Sequence, residues 1–202
     1  MDYPMTSIAV RPATRDEESA VSAVIRLAFA SDPMARWSLR DAQTYLAVMP
    51  DLIRAFGAAA YDSDSAYVSD DFGGAALWLP PGVEPDIEAL DRLVTTNADP
   101  AILADVEAVF TSMARYHPEV PHWYLPLIGT DPARQGQGIG SALMTHALKR
   151  CDRDGVAAYL ESSNPQNIPL YQRHGFEILG TIQHGSSPVL TPMLRPPQPA
   201  AS

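Results

Sequence analysis

The segment Arg134-Gln135-Gly136-Gln137-Gly138-Ile139-Gly140-Ser141 places three glycines between an apolar run at residues 122–130 and a run with helical spacing at residues 142–150. This order predicts a strand, a glycine-rich loop and the start of a helix. Glycines allow the backbone to approach a phosphate closely, and the free N–H groups and dipole of a first helical turn attract anions. The segment therefore predicts a site for a phosphate-bearing ligand.

Two well-known phosphate loops fit these residues poorly. A Walker loop needs a lysine and then a serine or threonine after its last glycine, whereas Gly140 is followed by Ser141 and Ala142. A dinucleotide fingerprint needs a third glycine where Ser141 stands. Glu161 nevertheless ends the next apolar run, where such a fold would hold a ribose. A nicotinamide-dependent oxidoreductase therefore remains an alternative.

Length and composition predict a single domain at residues 1–195 and a proline-rich, mobile tail at residues 196–202. The chain has 202 residues, 46% of them hydrophobic, which is enough for a sizeable core. Its apolar runs are too short to span a membrane, and the first ten residues lack a signal-peptide pattern. Cys151 is the only cysteine. We therefore expect a cytoplasmic protein without disulfides, metal ions or membrane partners, as a monomer or a homodimer.

The acidic composition limits the possible ligands. A formal net charge of −10 and a pI near 4.8 argue against nucleic acid as a partner, and they favour a cationic small molecule. A phosphate site in such a protein needs a local positive potential. Arg134 and Arg173 are candidates for it, as are the basic residues near the end of the predicted helix, namely Lys149, Arg150 and Arg153.

Hydrophobic spacing along the rest of the chain predicts a layered α/β sheet, because strand and helix patterns alternate after residue 121. Predicted strands lie at residues 8–12, 65–69, 74–79, 122–130, 156–162, 176–183 and 189–194. Predicted helices follow Thr14 and cover residues 45–56, 87–94, 102–113, 142–152 and 165–174.

Two motifs in this order resemble the GNAT superfamily of acetyl-coenzyme A-dependent N-acetyltransferases. The coenzyme loop of that family is matched by Gln135, Gly138 and Gly140. Its later signature is matched by Asn164, then Leu170-Tyr171 and Gly175-Phe176, and the similarity extends over most of the chain. Residues 122–176 are most similar to the bacterial branch that contains the puromycin N-acetyltransferases.

The resemblance implies the fold and the coenzyme site. The expected fold is α/β (α+β), with a mixed, mostly antiparallel sheet of about seven strands flanked by helices. Strand four is expected to separate from strand five, where Pro126 lacks the N–H that a sheet centre requires. The resemblance places acetyl-coenzyme A between these strands, with its pantetheine arm against the backbone of Leu127, Ile128, Gly129 and Thr130. It assigns the pyrophosphate to Arg134, Gln135, Gly136, Gln137, Gly138, Ile139, Gly140 and Ser141.

Further coenzyme contacts and the chemistry follow from the same resemblance. Asn164 or Asn167 is expected to contact the pantetheine arm, although Asn164 is equally suited to capping the next helix. Tyr171 matches the tyrosine that acts as general acid toward the coenzyme sulfur. An N–H of Leu127 or Ile128 is expected to polarise the thioester carbonyl.

Glu161 is the first candidate for the general base, since a carboxylate that ends an apolar strand has a raised pKa when it is desolvated. A water-mediated base, a cation anchor and a structural carboxylate remain open for it, and His122 is a second candidate. The resemblance places the amine acceptor near Asp32 and Trp37 and near the loop at residues 184–188.

We therefore predict an enzyme that transfers the acetyl group of acetyl-coenzyme A to a primary amine of a small molecule. Direct attack within a ternary complex is the expected route. A non-catalytic acyl-coenzyme A sensor is an alternative, and the sequence does not identify the amine.

Overall fold

The computed structural model describes residues 8–198, so residues 199–202 of the predicted tail lie outside the described residues. The strands are β1 (Val10–Pro12), β2 (Ala66–Ser69), β3 (Gly74–Leu79), β4 (His122–Thr130), β5 (Ala157–Ser162), β6 (Glu177–Ile178) and β7 (Thr191–Arg195). The α-helices are α1 (Glu18–Ala28), α2 (Pro33–Ser38), α3 (Ala42–Gly57), α4 (Ala59–Asp62), α5 (Ile87–Asn97), α6 (Leu103–Tyr116), α7 (Ile139–Asp154) and α8 (Ile168–Arg173).

The seven strands form one sheet in the order β1-β2-β3-β4-β5-β7-β6. All neighbours are antiparallel except β4 and β5, which are parallel. The predicted mixed, mostly antiparallel sheet is therefore confirmed. It is not the parallel sheet that a dinucleotide fingerprint accompanies, so the fold gives no support to the oxidoreductase alternative.

The parallel pair β4–β5 separates part of the way along its length. Its register ends at the pair Tyr124–Tyr159, although β4 continues to Thr130 and β5 to Ser162. On the other side of β4, the register with β3 shifts between Leu77 and Leu79, which face Leu127 and Tyr124. The shift adds one residue to β4, which is a β-bulge at the position of Pro126. The predicted separation at this proline is therefore confirmed.

Successive side chains along each strand point to opposite faces of the sheet, and helices cover both of these faces. One buried cluster joins Val21 and Ile25 of α1 and Met49 of α3 to a face that carries Tyr124 and Tyr159. A second cluster packs α7 and α8 against the opposite face; its members include Leu143, Met144, Tyr171, Trp123 and Leu160. Within residues 8–198, no helix is long and apolar enough to cross a membrane.

Two elements differ from the sequence predictions. The segment after residue 31, where no helix was predicted, contains the helix α2, whose N-cap Asp32 accepts a hydrogen bond from the Ala35 N–H at 3.0 Å. The predicted strand at residues 176–183 is limited to β6 and an isolated bridge between Ile182 and Leu190. Pro192 of the partner strand has no N–H, so the ladder is interrupted there.

Gly129 provides a test of how closely α1 packs on β4. A Cβ atom added at Gly129 would lie 2.6 Å from the Cβ of Ala28 and 3.3 Å from the Cα of Ile25. We expect Gly129→Ala to lower the free energy of unfolding by about 1–3 kcal/mol through overpacking, as measured by urea denaturation. In a protein that already carries Ala28→Gly, Gly129→Ala should lower the free energy of unfolding by clearly less. Equal costs in both backgrounds would contradict this packing.

Candidate active site

A cavity of about 620 Å³ opens where β4 and β5 separate. Its walls include the free half of β4, at Leu127, Ile128, Gly129 and Thr130, together with the glycine loop and α8. Glu161 of β5 and Asp32 before α2 also line it. The cavity therefore brings the predicted coenzyme residues and both acidic candidates to one place.

The glycine loop ends in a helix whose first N–H groups have no acceptor within the helix. Gly136 and Gly138 have positive φ angles of 77° and 87°, a conformation that glycine adopts without strain. The first helical hydrogen bond runs from the Ala142 N–H to the Gly138 carbonyl at 3.0 Å, so the N–H groups of Ile139, Gly140 and Ser141 precede it. This geometry suits an anion.

Most residues of the predicted pyrophosphate loop line the cavity. These are Arg134, Gln135, Gly136, Gly138, Ile139, Gly140 and Ser141, whereas Gln137 is not among the lining residues. The Ser141 hydroxyl also lies 3.0 Å from Nε2 of His174. The loop therefore presents mainly backbone groups to a ligand.

Two of the predicted cations line the cavity. Arg134 forms an ion pair with Asp71 at 2.8 Å, and Arg173 is exposed at the mouth of the cavity. By contrast, Lys149, Arg150 and Arg153 belong to the opposite end of α7. Arg150 donates to the carbonyl oxygen of Ser63 at 2.9 Å, so its role is structural. The suggestion that these three residues help to bind the phosphate was wrong.

Asn164, Asn167 and Tyr171 line the coenzyme side of the cavity. The Asn164 side chain accepts a hydrogen bond from the Gln166 N–H at 3.0 Å, so it caps the short 3-10 helix Pro165–Asn167 as one interpretation predicted. Tyr171 is 5% exposed, and burial raises the pKa of its phenol, with a further contribution from Asp32. The phenol therefore stays protonated at neutral pH.

Glu161 combines access to the cavity with strong desolvation. The side chain is half-buried and lines the cavity at the end of β5. Burial raises the pKa of its carboxyl group to about 7, although the facing phenols of Tyr124 and Tyr159 lower it. A carboxyl group with this pKa can exchange protons near neutral pH.

The two phenols were not predicted as site residues. Tyr124 and Tyr159 face each other across the last paired row of β4 and β5, with ring centroids 5.9 Å apart. The Tyr159 hydroxyl is buried and has no hydrogen-bond partner among the described residues. A period of two along β5 puts Tyr159 and Glu161 on the same face, and this signal was available in the sequence.

His122 lies beyond these phenols and is not among the residues that line the cavity. Its Nε2 is 3.0 Å from Nε2 of His117, and its Nδ1 is 2.8 Å from the Val120 carbonyl oxygen. The His117 ring packs edge-on against Tyr124 and Tyr159 at 5.0 and 5.1 Å. The two histidines therefore form a polar layer behind Glu161.

Asp32 and Trp37 line the other end of the cavity, which we call the acceptor end. Asp32 is 6% exposed and accepts a hydrogen bond from the Ser163 hydroxyl at 2.6 Å. Burial raises the pKa of its carboxyl group, although this bond opposes the shift. The Trp37 indole N–H donates to the Ser186 hydroxyl at 3.1 Å. The loop at residues 184–188 thus supports α2, and its residues are not among those that line the cavity.

Apolar side chains complete the acceptor end; apart from Met34, which lies between the predicted Asp32 and Trp37, they were not predicted as site residues. They are Phe29, Met34, Leu39, Met49, Leu52, Phe56, Val106, Val109, Phe110, Met113 and Leu190. Several lie on α3 and α6, far apart in sequence, so helical periodicity alone could not separate cavity walls from core. Among residues 8–198, no group of His, Cys, Asp and Glu side chains is suited to a metal ion.

Comparison with known proteins assigns this arrangement to a family. The model of the acetyltransferase (GNAT) family matches residues 69–176, which is more than half of the chain. The chain belongs to the GNAT family. Members of this family are acetyl-coenzyme A-dependent acyltransferases, so the predicted fold and class of enzyme are confirmed.

Individual relatives agree with this assignment. A crystal structure from Corynebacterium glutamicum, described as histone acetyltransferase HPA2 and related acetyltransferase, shares 30% identity with a TM-score of 0.69, over 96% of this chain and 98% of that one. An uncharacterized N-acetyltransferase of Schizosaccharomyces pombe is 30% identical over 52% of this chain and 48% of its own length, so the chain spans about half of that curated relative.

A third comparison shows the GNAT fold alone, because sequence identity is low. The polyamine N-acetyltransferase of Drosophila melanogaster, which catalyses the formation of N-acetylagmatine, is 16% identical. The two structures superpose with a TM-score of 0.64 over 93% of this chain and 98% of that chain. The overall fold is thus common to both proteins.

The contact between Tyr159 and Glu161 can be tested in the isolated GNAT protein. Because no residue in the described range 8–198 forms a hydrogen bond with the buried Tyr159 hydroxyl, we expect Tyr159→Phe to change the free energy of unfolding by less than about 1 kcal/mol. Loss of the phenol should raise the pKa of Glu161 further, as measured by carboxyl-carbon NMR titration. Tyr67→Phe, on the opposite face of the sheet, is the control. An unchanged pKa in Tyr159→Phe would show that the phenol does not act on the carboxylate.

Proposed function

We propose that this protein is an N-acetyltransferase that moves the acetyl group of acetyl-coenzyme A to a primary amine of a small molecule. One observation carries the proposal: a single cavity is lined by the glycine loop, the Tyr171 phenol and the half-buried Glu161. The amine attacks the thioester directly while both substrates are bound. Neither a metal ion nor a covalent enzyme intermediate takes part.

The coenzyme half of the reaction uses mainly backbone groups. The pyrophosphate binds at the N-terminus of α7, where the N–H groups of Ile139, Gly140 and Ser141 precede the first helical bond. The pantetheine arm follows the free edge of β4, its amides pairing with Leu127 to Thr130 as a strand would. Asn167 and the backbone near Asn164 contact the same arm.

The acceptor half requires an unprotonated amine. The ammonium group binds at Glu161, whose pKa of about 7 allows the carboxylate to take the proton directly or through one water molecule. The free amine then attacks the thioester carbonyl, and the N–H of Leu127 or Ile128 stabilises charge on its oxygen.

Departure of the thiolate completes the exchange. The C–N bond forms as the C–S bond breaks, the sulfur receives the proton of the Tyr171 phenol, and the second proton lost by the amine nitrogen restores the phenol. Because burial raises the pKa of this phenol above that of an ordinary thiol, its main contribution is a hydrogen bond to the developing thiolate, with proton transfer late. The proton held by Glu161 finally returns to solvent.

Some finer expectations remain part of this proposal. The similarity of residues 122–176 to puromycin N-acetyltransferases makes puromycin one amine to test. Small amines are also supported by the Drosophila melanogaster neighbour, which acetylates agmatine to give N-acetylagmatine. A monomer or homodimer, a cytoplasmic location and a domain at residues 1–195 are further expectations.

Two measurements on the purified protein test the activity. Acetyl-coenzyme A should raise the melting temperature and nicotinamide dinucleotides should not, because a ligand stabilises only the protein that binds it. Thiol release should then depend on an added amine, and mass spectrometry should find the acetylated amine. Stabilisation by acetyl-coenzyme A without thiol release would favour the sensor alternative, and stabilisation by a dinucleotide would favour the oxidoreductase.

Tyr171→Phe should separate catalysis from coenzyme binding. The substitution removes one hydroxyl from a 5% exposed side chain, so we expect kcat to fall about 100-fold or more. The melting-temperature increase given by acetyl-coenzyme A should stay within about 1 °C of the wild-type value. A Tyr171→Phe enzyme with wild-type kcat would remove this residue from the mechanism.

Glu161 should set the pH dependence of both activity and stability. We expect kcat/KM to rise with pH through about 7 as the carboxyl group ionises, and Glu161→Gln to abolish this limb. Because the pKa of Glu161 is higher in the folded protein than in the unfolded chain, this carboxyl group contributes to folding stability at low pH. The contribution is lost as pH rises from about 4.5 to about 7. At pH 8, the free energy of unfolding of Glu161→Gln should therefore exceed that of the wild type by on the order of 1–3 kcal/mol, as measured by urea denaturation. A less stable variant at pH 8 would contradict the desolvation of this carboxylate.

A further inference from the structure

We infer that the preferred acceptor is a primary amine with one positive charge and an apolar body, such as an arylalkylamine or a linear alkylamine. This inference rests on the proposed function and concerns the acceptor end of the same cavity. It distinguishes such amines from polyamines, amino acids and peptide amino termini.

The first argument is the chemistry of the wall. Side chains of α3 and α6 meet those of the α1–α2 junction there, and several are large, apolar and only half-buried, including Phe29, Met34, Phe56, Phe110 and Met113. Core side chains elsewhere in the protein are excluded from water much more completely, as in Trp78 and Leu143 at 0% exposure. Apolar surface that remains accessible inside a cavity is favourable to cover with an apolar ligand.

The second argument is the number of available charges. Among the described residues that line the cavity, the only carboxylates are Asp32 and Glu161. Asp32 is only 6% exposed and each of its oxygens already accepts a hydrogen bond, from the Ser163 hydroxyl at 2.6 Å and from the Ala35 N–H at 3.0 Å. It therefore offers little accessible surface to an ammonium group, whereas Glu161 is half-buried. Glu161 is thus the carboxylate left to receive an ammonium group. A second ammonium, as in a polyamine, would be desolvated without a partner, which is costly.

The third argument concerns negative charge on the acceptor. The lining residues with permanent positive charge are Arg134 and Arg173, and both belong to the coenzyme end. An amino acid would have to place its carboxylate beside Glu161 or against the apolar wall, and neither position offers a cation. A peptide would bring backbone amides into the same wall, where they would lose hydrogen bonds to water. The net charge of −10 further favours a cationic ligand over a zwitterion.

The test is a matched series of amines at fixed acetyl-coenzyme A, with thiol release as the readout. We expect kcat/KM to increase about fourfold for each methylene from propylamine to hexylamine, the factor for burial of a CH₂ group. Phenethylamine should exceed agmatine and putrescine by at least tenfold, and phenylalanine should show no turnover. Equal or greater kcat/KM for the polyamines or for phenylalanine would overturn the inference.

Two variants connect this selectivity to the wall. Phe110→Ala should lower kcat/KM for phenethylamine about tenfold more than it lowers kcat/KM for propylamine. Met113→Glu adds a carboxylate to the apolar wall and should raise the ratio of kcat/KM for putrescine to that for pentylamine by tenfold or more. Leu46→Ala, at a side chain of α3 that is 54% exposed and does not line the cavity, is the matched control. Unaltered selectivity in both wall variants would overturn the inference.

The outcomes separate this inference from the proposed function. Stabilisation of each variant by acetyl-coenzyme A shows that it is folded with an intact coenzyme end. Turnover of polyamines or amino acids in preference to apolar amines would retain the N-acetyltransferase and remove only the inferred selectivity. No thiol release with any amine, despite coenzyme binding, would overturn both.

Discussion

The separation of β4 from β5 after the pair Tyr124–Tyr159 is the constraint on which the cavity depends. The backbone groups of β4 beyond this pair have no neighbouring strand on the β5 side. Buried backbone polar groups nevertheless require a hydrogen-bond partner. The antiparallel pairing of β4 with β3 continues to Thr130, so the other side of the strand is held in place. The bulge at Pro126 puts a residue without an N–H where the ladder changes register. The result is a rigid free edge that suits an extended ligand carrying amide groups.

The same separation determines the properties of Glu161. Tyr159 is the last residue of β5 that pairs with β4, and Glu161 is the next residue on that face. The carboxylate therefore adjoins buried phenols on one side and the open cavity on the other. Burial and the phenols act on its pKa in opposite directions, and burial has the larger effect. Full pairing of the strands would bury the carboxylate without access to a substrate, and complete exposure would return its pKa to the ordinary acidic range.

Local sequence signals predicted much of the coenzyme end and little of the acceptor end. The glycine loop, Pro126 and Tyr171 carry signals within a few residues, such as a left-handed glycine, a missing N–H or a short motif. The predicted strands at residues 65–69 and 74–79 likewise correspond to β2 and β3. By contrast, the presence of Phe110 in the same cavity wall as Met34 and Phe56 depends on how α6 crosses the other helices, and the spacing of apolar residues is identical for a core face and a cavity wall. The contact of Tyr159 with Glu161 follows from strand alternation, but the burial that perturbs both groups is a tertiary property.

The chain between β3 and β4 shows why the acceptor end varies separately from the scaffold. Antiparallel neighbours can be joined by a turn of two residues, yet here residues 80–121 form the connection and contain α5 and α6. The sheet does not require this length. α6 packs its buried Val106 against Trp37 of α2 and its Val109 against Ile182 and Leu190 near β7. It therefore closes the cavity between two elements that the coenzyme site does not use. Substitutions along α6 can change the shape and polarity of this end of the cavity while β4, the glycine loop and Tyr171 keep their positions, so the two ends of the cavity are physically separable in this fold.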